Sequence, residues 1–402
     1  MTTLQTRLQH GLNRMDPWLD AVFPIATALI CTRQRLIANG LLTLFVLLRL
    51  LQGSNKEGWR WILVLLVLMN AGLVIEDRDL KPGSTSDYLI IAAAFAAGFQ
   101  RTVAQWRRSL PWLASCIVPL LAFSLAAGSQ LLEGTVSFTG FNINKLGFLF
   151  GLLILLAYGW LRQSRQRSMQ LGTALLTSLG IWGAVLTQSR AAVAVPILAI
   201  GIDLAAKFRW TARRISLCAL LVLILAGGTL YQWYLKPTET YNLATDYKLG
   251  ELNRAQTIQC WFRSTAQSPK GFWFGLGYGK PAQEQCGPEA IPSLKAMEKS
   301  KGLQHAHNLY AQIFTESGIG GLIVISGLTL AAFRQAWHQR RTKALVASFP
   351  LITYLFLMAL GITYWQVLLL NQILVGYSLA SLSAVELDDG SEDGPTPTTP
   401  AI

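Results

Sequence analysis

Apolar residues fill most of this chain in runs of about 15 to 23 residues, the length with which an α-helix crosses the hydrocarbon core of a membrane. Short polar stretches, several of them basic, separate the runs. The pattern predicts about twelve transmembrane helices. They fall near residues 17–31, 36–52, 59–75, 87–99, 110–132, 146–162, 168–186, 191–206, 214–235, 318–336, 344–362 and 367–385.

Composition supports the same class of protein. Hydrophobic residues make up 52% of the 402 residues, and the mean hydropathy is +0.39, which is typical of an all-α polytopic membrane protein. The formal net charge of +13 would also suit a nucleic-acid-binding protein. The basic residues, however, form short clusters between apolar runs, where the positive-inside rule and anionic lipid account for them. We therefore expect membrane lipid as a partner and no nucleic acid.

The basic clusters fall in alternate loops, as they should if each of them lies in the cytoplasm. They are Arg101/Arg107/Arg108, Arg162/Arg165/Arg167, Lys207/Arg209/Arg213/Arg214 and Arg334/Arg340/Arg341/Lys343. The intervening loops then face outward, including 133–145, 187–190 and 236–306, and both termini lie inside. Arg33 and Arg35 do not fit this topology, because they would lie outside between the first two spans.

Four parts of the chain follow from this topology. Residues 1–235 form an N-terminal transmembrane bundle of about nine spans, and residues 236–317 form a large outer loop. Residues 318–385 return to the membrane, and 386–402 form an acidic, proline- and threonine-rich tail that is predicted to be disordered. The outer loop is too long and too aromatic for a linker, so we expect it to fold against the bundle.

The outer loop contains three local signals. Residues 252–267 have the pattern of a helix that ends before Pro269, because proline disfavours helix in the residue that precedes it. Gly275-Leu-Gly277-Tyr-Gly279 predicts a turn, and it lacks the lysine and the context that a nucleotide-binding loop requires. Asn308 to Glu316 predicts a short amphipathic helix that leads into the span at Gly318.

Two of the four histidines, His305 and His307, lie in the outer loop next to the predicted membrane surface. Histidine is the side chain best suited to accept a proton near neutral pH, which makes both of them candidates for a general base. The alternative is a loop histidine bonded only to backbone. No metal site is expected, because this close pair, with no third outer ligand at suitable spacing, is a weak zinc signal.

Arg190 stands alone between two apolar runs, on the side of the membrane where arginine is disfavoured. Such a position indicates an anionic partner, since the planar guanidinium can grip a phosphate through two hydrogen bonds. The alternative is an arginine at a helix end whose charged group snorkels to the surface.

Five further polar residues are candidates for substrate contacts. Arg254 and Arg263 lie on the predicted loop helix, roughly 180° apart around its axis, so at least one of them can face the bundle. Asn142, Asn144 and Lys145 precede the sixth predicted span and offer donors and a cation to a sugar or a phosphate. The alternatives are solvated surface charges for the two arginines and helix capping for the asparagines.

Cys260 and Cys286 are the two cysteines predicted to lie outside the membrane. In an oxidising compartment they could pair and fasten the loop helix to the turn that follows it, but the sequence leaves this open. The other three, Cys31, Cys116 and Cys218, lie in or beside spans and have the character of small apolar residues.

Three segments together resemble the O-antigen ligase and polymerase superfamily, specifically a ligase that joins O-antigen to lipid A-core. His307-Asn308, followed by Gly318-Ile-Gly320-Gly321, fits the family pattern of His-Asn or His-Ser with glycines at that distance. Thr187-Gln-Ser-Arg190 is similar to the family's serine–arginine segment. Arg254, Pro269 and the glycine-rich turn resemble its arginine, proline and glycine stretch.

The resemblance covers residues 140–340 and implies a fold, an activity and substrates. The fold is that of a GT-C-like glycosyltransferase with one large, mostly helical periplasmic loop. It implies a location in the Gram-negative inner membrane, with the active site facing the periplasm. The activity is transfer of O-antigen from undecaprenyl pyrophosphate to the lipid A-core oligosaccharide, with inversion and without metal or cofactor.

The resemblance also implies the residues of the site. His307, Arg190 and Arg254 would be catalytic, with His307 acting on the acceptor hydroxyl and the arginines on the pyrophosphate. The stretch from Pro269 to the glycine turn is longer than the family pattern, so Arg263 is a rival to Arg254. The residues expected to contact substrate are Arg263, His305, Asn308, Asn142, Asn144 and Lys145.

Two other functions stay open on the sequence. An O-antigen polymerase performs the same chemistry with a second carrier-linked glycan as the acceptor. The single long loop directly before the His-Asn segment favours a ligase over a polymerase. A flippase or transporter of lipid-linked sugars would use Arg190 to bind its substrate and would leave His307 without a role.

Overall fold

The computed structural model describes twelve ranges of the chain: 16–29, 35–52, 94, 103–126, 143–163, 166–187, 190–207, 243–277, 280–296, 306–338, 348–361 and 373–375. Every regular element within these ranges is an α-helix. The helices with defined bounds are α1 (Asp16–Leu29), α2 (Arg35–Gln52), α3 (Val103–Ala126), α4 (Ile143–Gln163), α5 (Arg167–Leu186), α6 (Arg190–Lys207), α7 (Leu243–Ala266), α8 (Pro269–Phe274), α9 (Lys280–Gln285), α10 (Pro292–Ala296), α11 (Leu309–His338) and α12 (Ser348–Ala359).

Several of these helices have the length and composition of membrane spans. Those long and apolar enough to cross a membrane are Lys145–Arg162, Arg167–Leu186 and Leu309–Trp337. Shorter apolar helices are Ser109–Leu120, Ala191–Ala206 and Phe349–Ala359. The described part is therefore that of an all-helical membrane protein.

Other predictions about the membrane region lie outside the described residues. These include the spans at 59–75 and 214–235, most of those at 87–99 and 367–385, and the tail at 386–402. The predicted number of about twelve spans and the division of the chain into four parts stay predictions.

The helix bounds follow the predicted spans closely in the middle of the chain. The predictions at 146–162, 168–186 and 191–206 correspond to α4, α5 and α6, each of which extends slightly beyond them. α3 begins at Val103, well before the predicted start at residue 110. The reason is that apolar runs mark the part of a helix inside hydrocarbon, whereas backbone hydrogen bonding continues into the polar flank.

α4 is the central helix of the bundle, and it packs against α3, α5, α6 and α12. Residues 145–158 are buried around the whole helix, as expected for a helix that is apolar on every face. Gly151 leaves room for Tyr354 of α12, because a side chain at Gly151 would collide with the phenol ring. The Tyr354 hydroxyl donates a 2.7 Å hydrogen bond to the backbone oxygen of Phe148. This contact fixes α12 against the first half of α4.

Contacts among α4, α5 and α6 set their directions. α5 follows α4 after a short connection and packs along it, with Gly180 against Ile154, so the two form an antiparallel hairpin. α6 then returns beside α4 in the same direction as α4. Near the end of both helices, Tyr158 and Arg162 donate to the carboxylate of Asp203 at 2.7 and 3.1 Å.

α11 and α12 run antiparallel to each other. Phe333 and Trp337, late in α11, both pack on Phe349 at the start of α12, with ring centroids 5.2 Å apart in each pair. Tyr310, at the start of α11, packs on Phe356 late in α12 at 5.8 Å. The beginning of α11 and the end of α12 therefore lie together.

A second, smaller core lies in the segment that contains α7 to α10, which we call the loop unit. Its buried apolar residues are Trp261, Leu276, Ala282, Cys286, Ile291, Leu294, Ala306 and Ala311. The last two precede and belong to α11, so the loop unit is packed onto that helix, and α7 contacts α11 directly. This agrees with the expectation that the long polar interval folds against the bundle.

α7 is longer than the sequence predicted. It was expected from residue 252, but it begins at Leu243, because the preceding polar residues carry no apolar period from which a helix could be recognised. Its predicted end is confirmed. The helix stops at Ala266, and Ser268 then caps α8 by accepting a 2.9 Å hydrogen bond from the Gly271 backbone N–H, with Pro269 in the first turn.

Cys260 of α7 and Cys286, just after α9, form a disulfide whose Cα atoms are 5.9 Å apart. The two cysteines are 26 residues apart in the chain, and the bond joins the long loop helix to the end of a short one. The structure therefore decides a pairing that the sequence left open. Cross-links of this kind stabilise mainly by restricting the unfolded chain.

Replacing both Cys260 and Cys286 by serine should destabilise the loop unit by about 3 kcal/mol, because the unfolded segment regains the freedom that the bond removes. Proteolytic cleavage of the loop unit in purified protein would measure this. Cys116→Ser, a change at a half-buried free cysteine in α3, is the matched control. Reductant should accelerate cleavage of the wild type and leave the double variant unchanged. Equal cleavage of all three proteins would contradict the stabilising role.

Candidate active site

His307 lies in the turn immediately before α11, and its backbone is in the left-handed region with φ of 54°. It is the one non-glycine residue with positive φ in the described part of the chain. This conformation costs about 1–3 kcal/mol and persists only where the surroundings impose it. The side chain is half-buried. An imposed, strained backbone under a histidine is a reason to look for function at this turn.

Both neighbours of His307 are held by hydrogen bonds. On one side, the Ala306 backbone N–H donates to the Oε1 atom of Gln312 at 2.9 Å. On the other side, the Asn308 Oδ1 atom accepts from the Ala311 backbone N–H at 3.0 Å and so caps α11. The Asn308 Nδ2 atom donates to the backbone oxygen of Leu360 at 3.3 Å. Asn308 thus shapes the turn, and its predicted contact with substrate stays a prediction.

The short helix predicted before Gly318 is present, since α11 begins at Leu309 and is broken at Gly318, but it lacks the exposed polar side of an amphipathic helix. Residues 311–318 are all buried, so the segment has no solvent-facing side. Leu309 and Ile313 belong to the core of the bundle, and Ala311 belongs to the core of the loop unit. The amphipathic part of the prediction is wrong because polar residues on this helix face the loop unit instead of water.

Aromatic and hydroxyl side chains join the loop unit to this buried segment. Phe314 stacks on Phe262 of α7, with ring centroids 5.0 Å apart, and meets the edge of Phe272 of α8 at 6.0 Å. The Thr315 hydroxyl donates to the backbone oxygen of Trp261 at 3.3 Å. The start of α11 is consequently held by the loop unit along one side and by the bundle along the other.

The glycine-rich turn docks where α11 is broken. Gly318, with φ of 67°, interrupts the helix, and the Leu276 and Gly277 backbone N–H groups donate to the oxygens of Thr315 and Glu316 at 2.6 and 3.2 Å. Gly275 and Gly318 let the two backbones approach. A Cβ atom on Gly275 would meet the backbone of residues 316–317, and one on Gly318 would meet that of residues 273–274.

This docking explains the glycine spacing that resembles a phosphate loop. Gly275 and Gly277 both have positive φ, at 80° and 82°, and a residue with a side chain would be strained at either position. Tyr278 and Gly279 lie outside the described residues. The turn donates its backbone N–H groups to α11, which supports the sequence-based rejection of a nucleotide motif.

The two loop arginines lie on different sides of α7. The buried stripe of this helix consists of Asn253, Thr257, Trp261 and Thr265. At 100° per residue, Arg254 projects about 40° from the centre of that stripe and Arg263 about 140° from it. Both side chains are exposed. Arg254 is therefore the arginine nearer to the packed face, although neither is enclosed.

The structure describes some of the remaining predicted site residues. α6 begins at Arg190, and α4 begins at Ile143 with Asn144 and a buried Lys145 in its first turn. His305 and Asn142 lie outside the described residues.

Arg190 begins α6, about 20 Å along the axis before Asp203. Asp203 lies beside the end of α4, and the two helices run in the same direction, so the backbone of Arg190 lies toward the start of α4. The His307 turn is connected to the end of α12 through the hydrogen bond from Asn308 to the backbone oxygen of Leu360.

Sequence reasoning missed three buried polar residues. Gln312 and Glu316 are 9% and 5% exposed, and Asp203 is fully buried. The sequence contained a signal for Asp203 and Glu316, because an acidic residue inside or beside an apolar run must have partners in the fold. Asp203 joins α4 to α6 through Tyr158 and Arg162, whereas Gln312 bonds to Ala306 next to His307 and to Glu316. Within the described residues, no His, Cys, Asp and Glu side chains gather as a metal site.

The fold and the site define a class: an all-helical membrane protein with a folded loop unit docked on its bundle and a strained histidine turn at the junction. Comparison with known families adds a match to part of the chain. Residues 173–326 match the model of the family described as O-antigen ligase. No curated protein matches the chain. This match confirms the resemblance to the O-antigen ligase and polymerase superfamily that the sequence showed.

The matched segment contains the residues on which the resemblance rested. Arg190, Arg254 and the His307-Asn308 pair all lie within residues 173–326, and so do both glycine segments. Asn142, Asn144 and Lys145 lie before it. The family implies substrates that are lipid-linked polysaccharides in a membrane environment.

Gly318→Ala should destabilise the protein, because the new methyl group would meet the backbone of Trp273 and Phe274 at a positive φ. We expect a loss of more than about 1 kcal/mol, seen as a lower midpoint of thermal unfolding in detergent. Gly327→Ala is the matched control on the same helix, since nothing lies within 4 Å of its new Cβ. That variant should keep or raise the midpoint. Equal midpoints for the two variants would contradict the close docking of the glycine turn.

Proposed function

We propose that this protein transfers O-antigen polysaccharide from undecaprenyl pyrophosphate to a hydroxyl group of the lipid A-core oligosaccharide. The reaction takes place at the periplasmic face of the Gram-negative inner membrane. The observation that carries the proposal is the strained His307 turn, which lies within the matched family segment at the junction of the loop unit and the bundle. The disulfide in the loop unit supports an oxidising compartment on that side of the membrane.

The chemistry requires one proton acceptor and a means of neutralising a diphosphate. The acceptor oxygen attacks the anomeric carbon from the face opposite the pyrophosphate, which inverts that carbon. The new carbon–oxygen bond forms as the bond to the phosphate oxygen breaks, and the electron pair leaves with undecaprenyl pyrophosphate. The hydroxyl proton passes to the imidazole of His307, which is suited to this because neutral imidazole is available near pH 7.

Pyrophosphate is already a good leaving group, so the protein mainly holds the two substrates in line and offsets the charge that develops on the phosphate. Arg190 and a loop arginine are assigned to this charge. Guanidinium groups stay charged and bind phosphate oxygens in pairs, so the step needs no metal. The position of Arg190 at the start of α6, inside the matched family segment, supports its assignment.

Polymerase and transporter functions make different predictions from a ligase. Purified protein would be incubated with carrier-linked glycan and lipid A-core. Glycan joined covalently to the core supports the proposal, and longer glycan on the carrier would identify a polymerase. Movement of the carrier lipid across a vesicle without any new bond would identify a transporter.

His307→Asn should lower kcat about 10²- to 10⁴-fold, because the amide cannot accept a proton. Asparagine is the better test than alanine, since it is enriched in the left-handed backbone conformation that this position requires. The transfer rate and the thermal unfolding midpoint would be measured together. His338→Ala, at the far end of α11, is the control and should transfer glycan normally. A folded His307→Asn protein with ordinary activity would refute the assigned base.

Arg254→Ala should reduce transfer more than Arg263→Ala, because Arg254 projects nearer to the packed face of α7. Both residues are exposed on the same helix, so each variant serves as the other's control for the loss of a surface charge. Steady-state rates at varied donor concentration would measure the difference. A larger loss of transfer rate in Arg263→Ala would assign the phosphate contact to Arg263 instead.

A further inference from the structure

A chain of buried side chains runs from the His307 turn into α11. Gln312 accepts from the Ala306 backbone N–H through Oε1, and its Nε2 atom donates to Oε1 of Glu316. Gln312 and Glu316 are almost fully buried, and they lie one helical turn apart on the segment that is covered by both cores. The chain therefore connects the residue before His307 to a carboxylate inside the protein.

The chemistry of the two side chains decides which group donates and which accepts in each of these hydrogen bonds. A carboxylate can only accept hydrogen bonds, so Glu316 must receive the NH₂ group of the Gln312 amide. The amide oxygen of Gln312 is then turned toward Ala306, where it meets a backbone N–H. Glu316 thus selects one of the two orientations of the Gln312 amide.

The His307 turn needs such support because its backbone is strained. A φ of 54° at His307 relaxes unless both flanking peptides are held. Asn308 holds the following side through the α11 cap and the Leu360 oxygen. Gln312 holds the preceding side at Ala306.

We propose that Gln312 and Glu316 are a pair of positioning residues that set the imidazole of His307 for the transfer reaction. Glu316 orients the amide of Gln312, and Gln312 fixes the peptide that precedes His307. Neither touches substrate in this assignment. The inference rests on the proposed role of His307, and it adds two residues that act through it.

Four variants test the pair. Gln312→Met keeps the size of the side chain and removes the acceptor for Ala306. Gln312→Glu places two carboxylates together and removes the donor between them. Adding Glu316→Gln to Gln312→Glu exchanges the groups and restores both hydrogen bonds, since Glu at 312 accepts from Ala306 and from the new amide. Thr315→Val, which removes a buried hydroxyl bond to Trp261 from the same helical turn, is the matched control.

We expect Gln312→Met and Gln312→Glu each to lower kcat about 10²-fold, as a small displacement of a catalytic group does, with KM for both substrates little changed. The double exchange should recover most of the wild-type kcat. Thr315→Val should keep kcat even where it lowers the unfolding midpoint. A role in stability alone would lower the midpoint in all of these variants without separating kcat from KM.

Hydrogen exchange of the peptide that contains Ala306 and His307 provides a readout independent of activity. Gln312→Met should accelerate exchange of the Ala306 amide, and Thr315→Val should not. Unchanged exchange in Gln312→Met would overturn the inference.

The activity results separate the inference from the proposed function. If His307→Asn is inactive and Gln312→Met has the kcat of Thr315→Val, the positioning pair is wrong and the base assignment stands. If the double exchange stays inactive, Glu316 acts through its own carboxylate and the pair is likewise wrong. If His307→Asn is fully active, the general-base role of His307 in the proposed function is refuted, whatever the Gln312 variants show.

Discussion

The docking of the glycine-rich turn on the broken start of α11 is the interaction on which the rest of this site depends. The first turns of α11 are buried between two cores, so their backbone groups cannot turn to water. The break at Gly318 frees the Thr315 and Glu316 oxygens, and the turn at residues 275–277 supplies the missing N–H groups. Two backbones must come very close for this, and glycine at 275 and 318 allows it.

The rigidity of the His307 turn follows from that docking. With α11 fixed on both sides, Gln312 and the Asn308 cap become firm anchors for the peptides around His307. The left-handed backbone of His307 is then maintained at a cost that the two cores offset. Catalysis in general depends on such fixed geometry, since displacement of a reacting group by about 1 Å can cost about two orders of magnitude in rate.

The proposed site residues come from both the bundle and the loop unit. Of the proposed site residues, Arg190 is at the start of α6 in the bundle and Arg254 is on α7 in the loop unit, while the residues that hold the His307 turn belong to α11. The disulfide between Cys260 and Cys286 lies in the loop unit, where it limits the number of conformations available to a segment with a small core.

The sequence by itself determined the class, the main helices, the end of α7, the glycine turn and the family, because apolar run length, proline and glycine act locally or through short fixed spacings. It also singled out His307. Only the tertiary structure decided the disulfide, the buried state of the first turns of α11 and the partners of Gln312 and Glu316. These depend on which surfaces meet: a segment with polar residues on one face looks amphipathic until a second core covers that face. The difference between Arg254 and Arg263 has the same origin, since a helix does not reveal which of its sides will be packed.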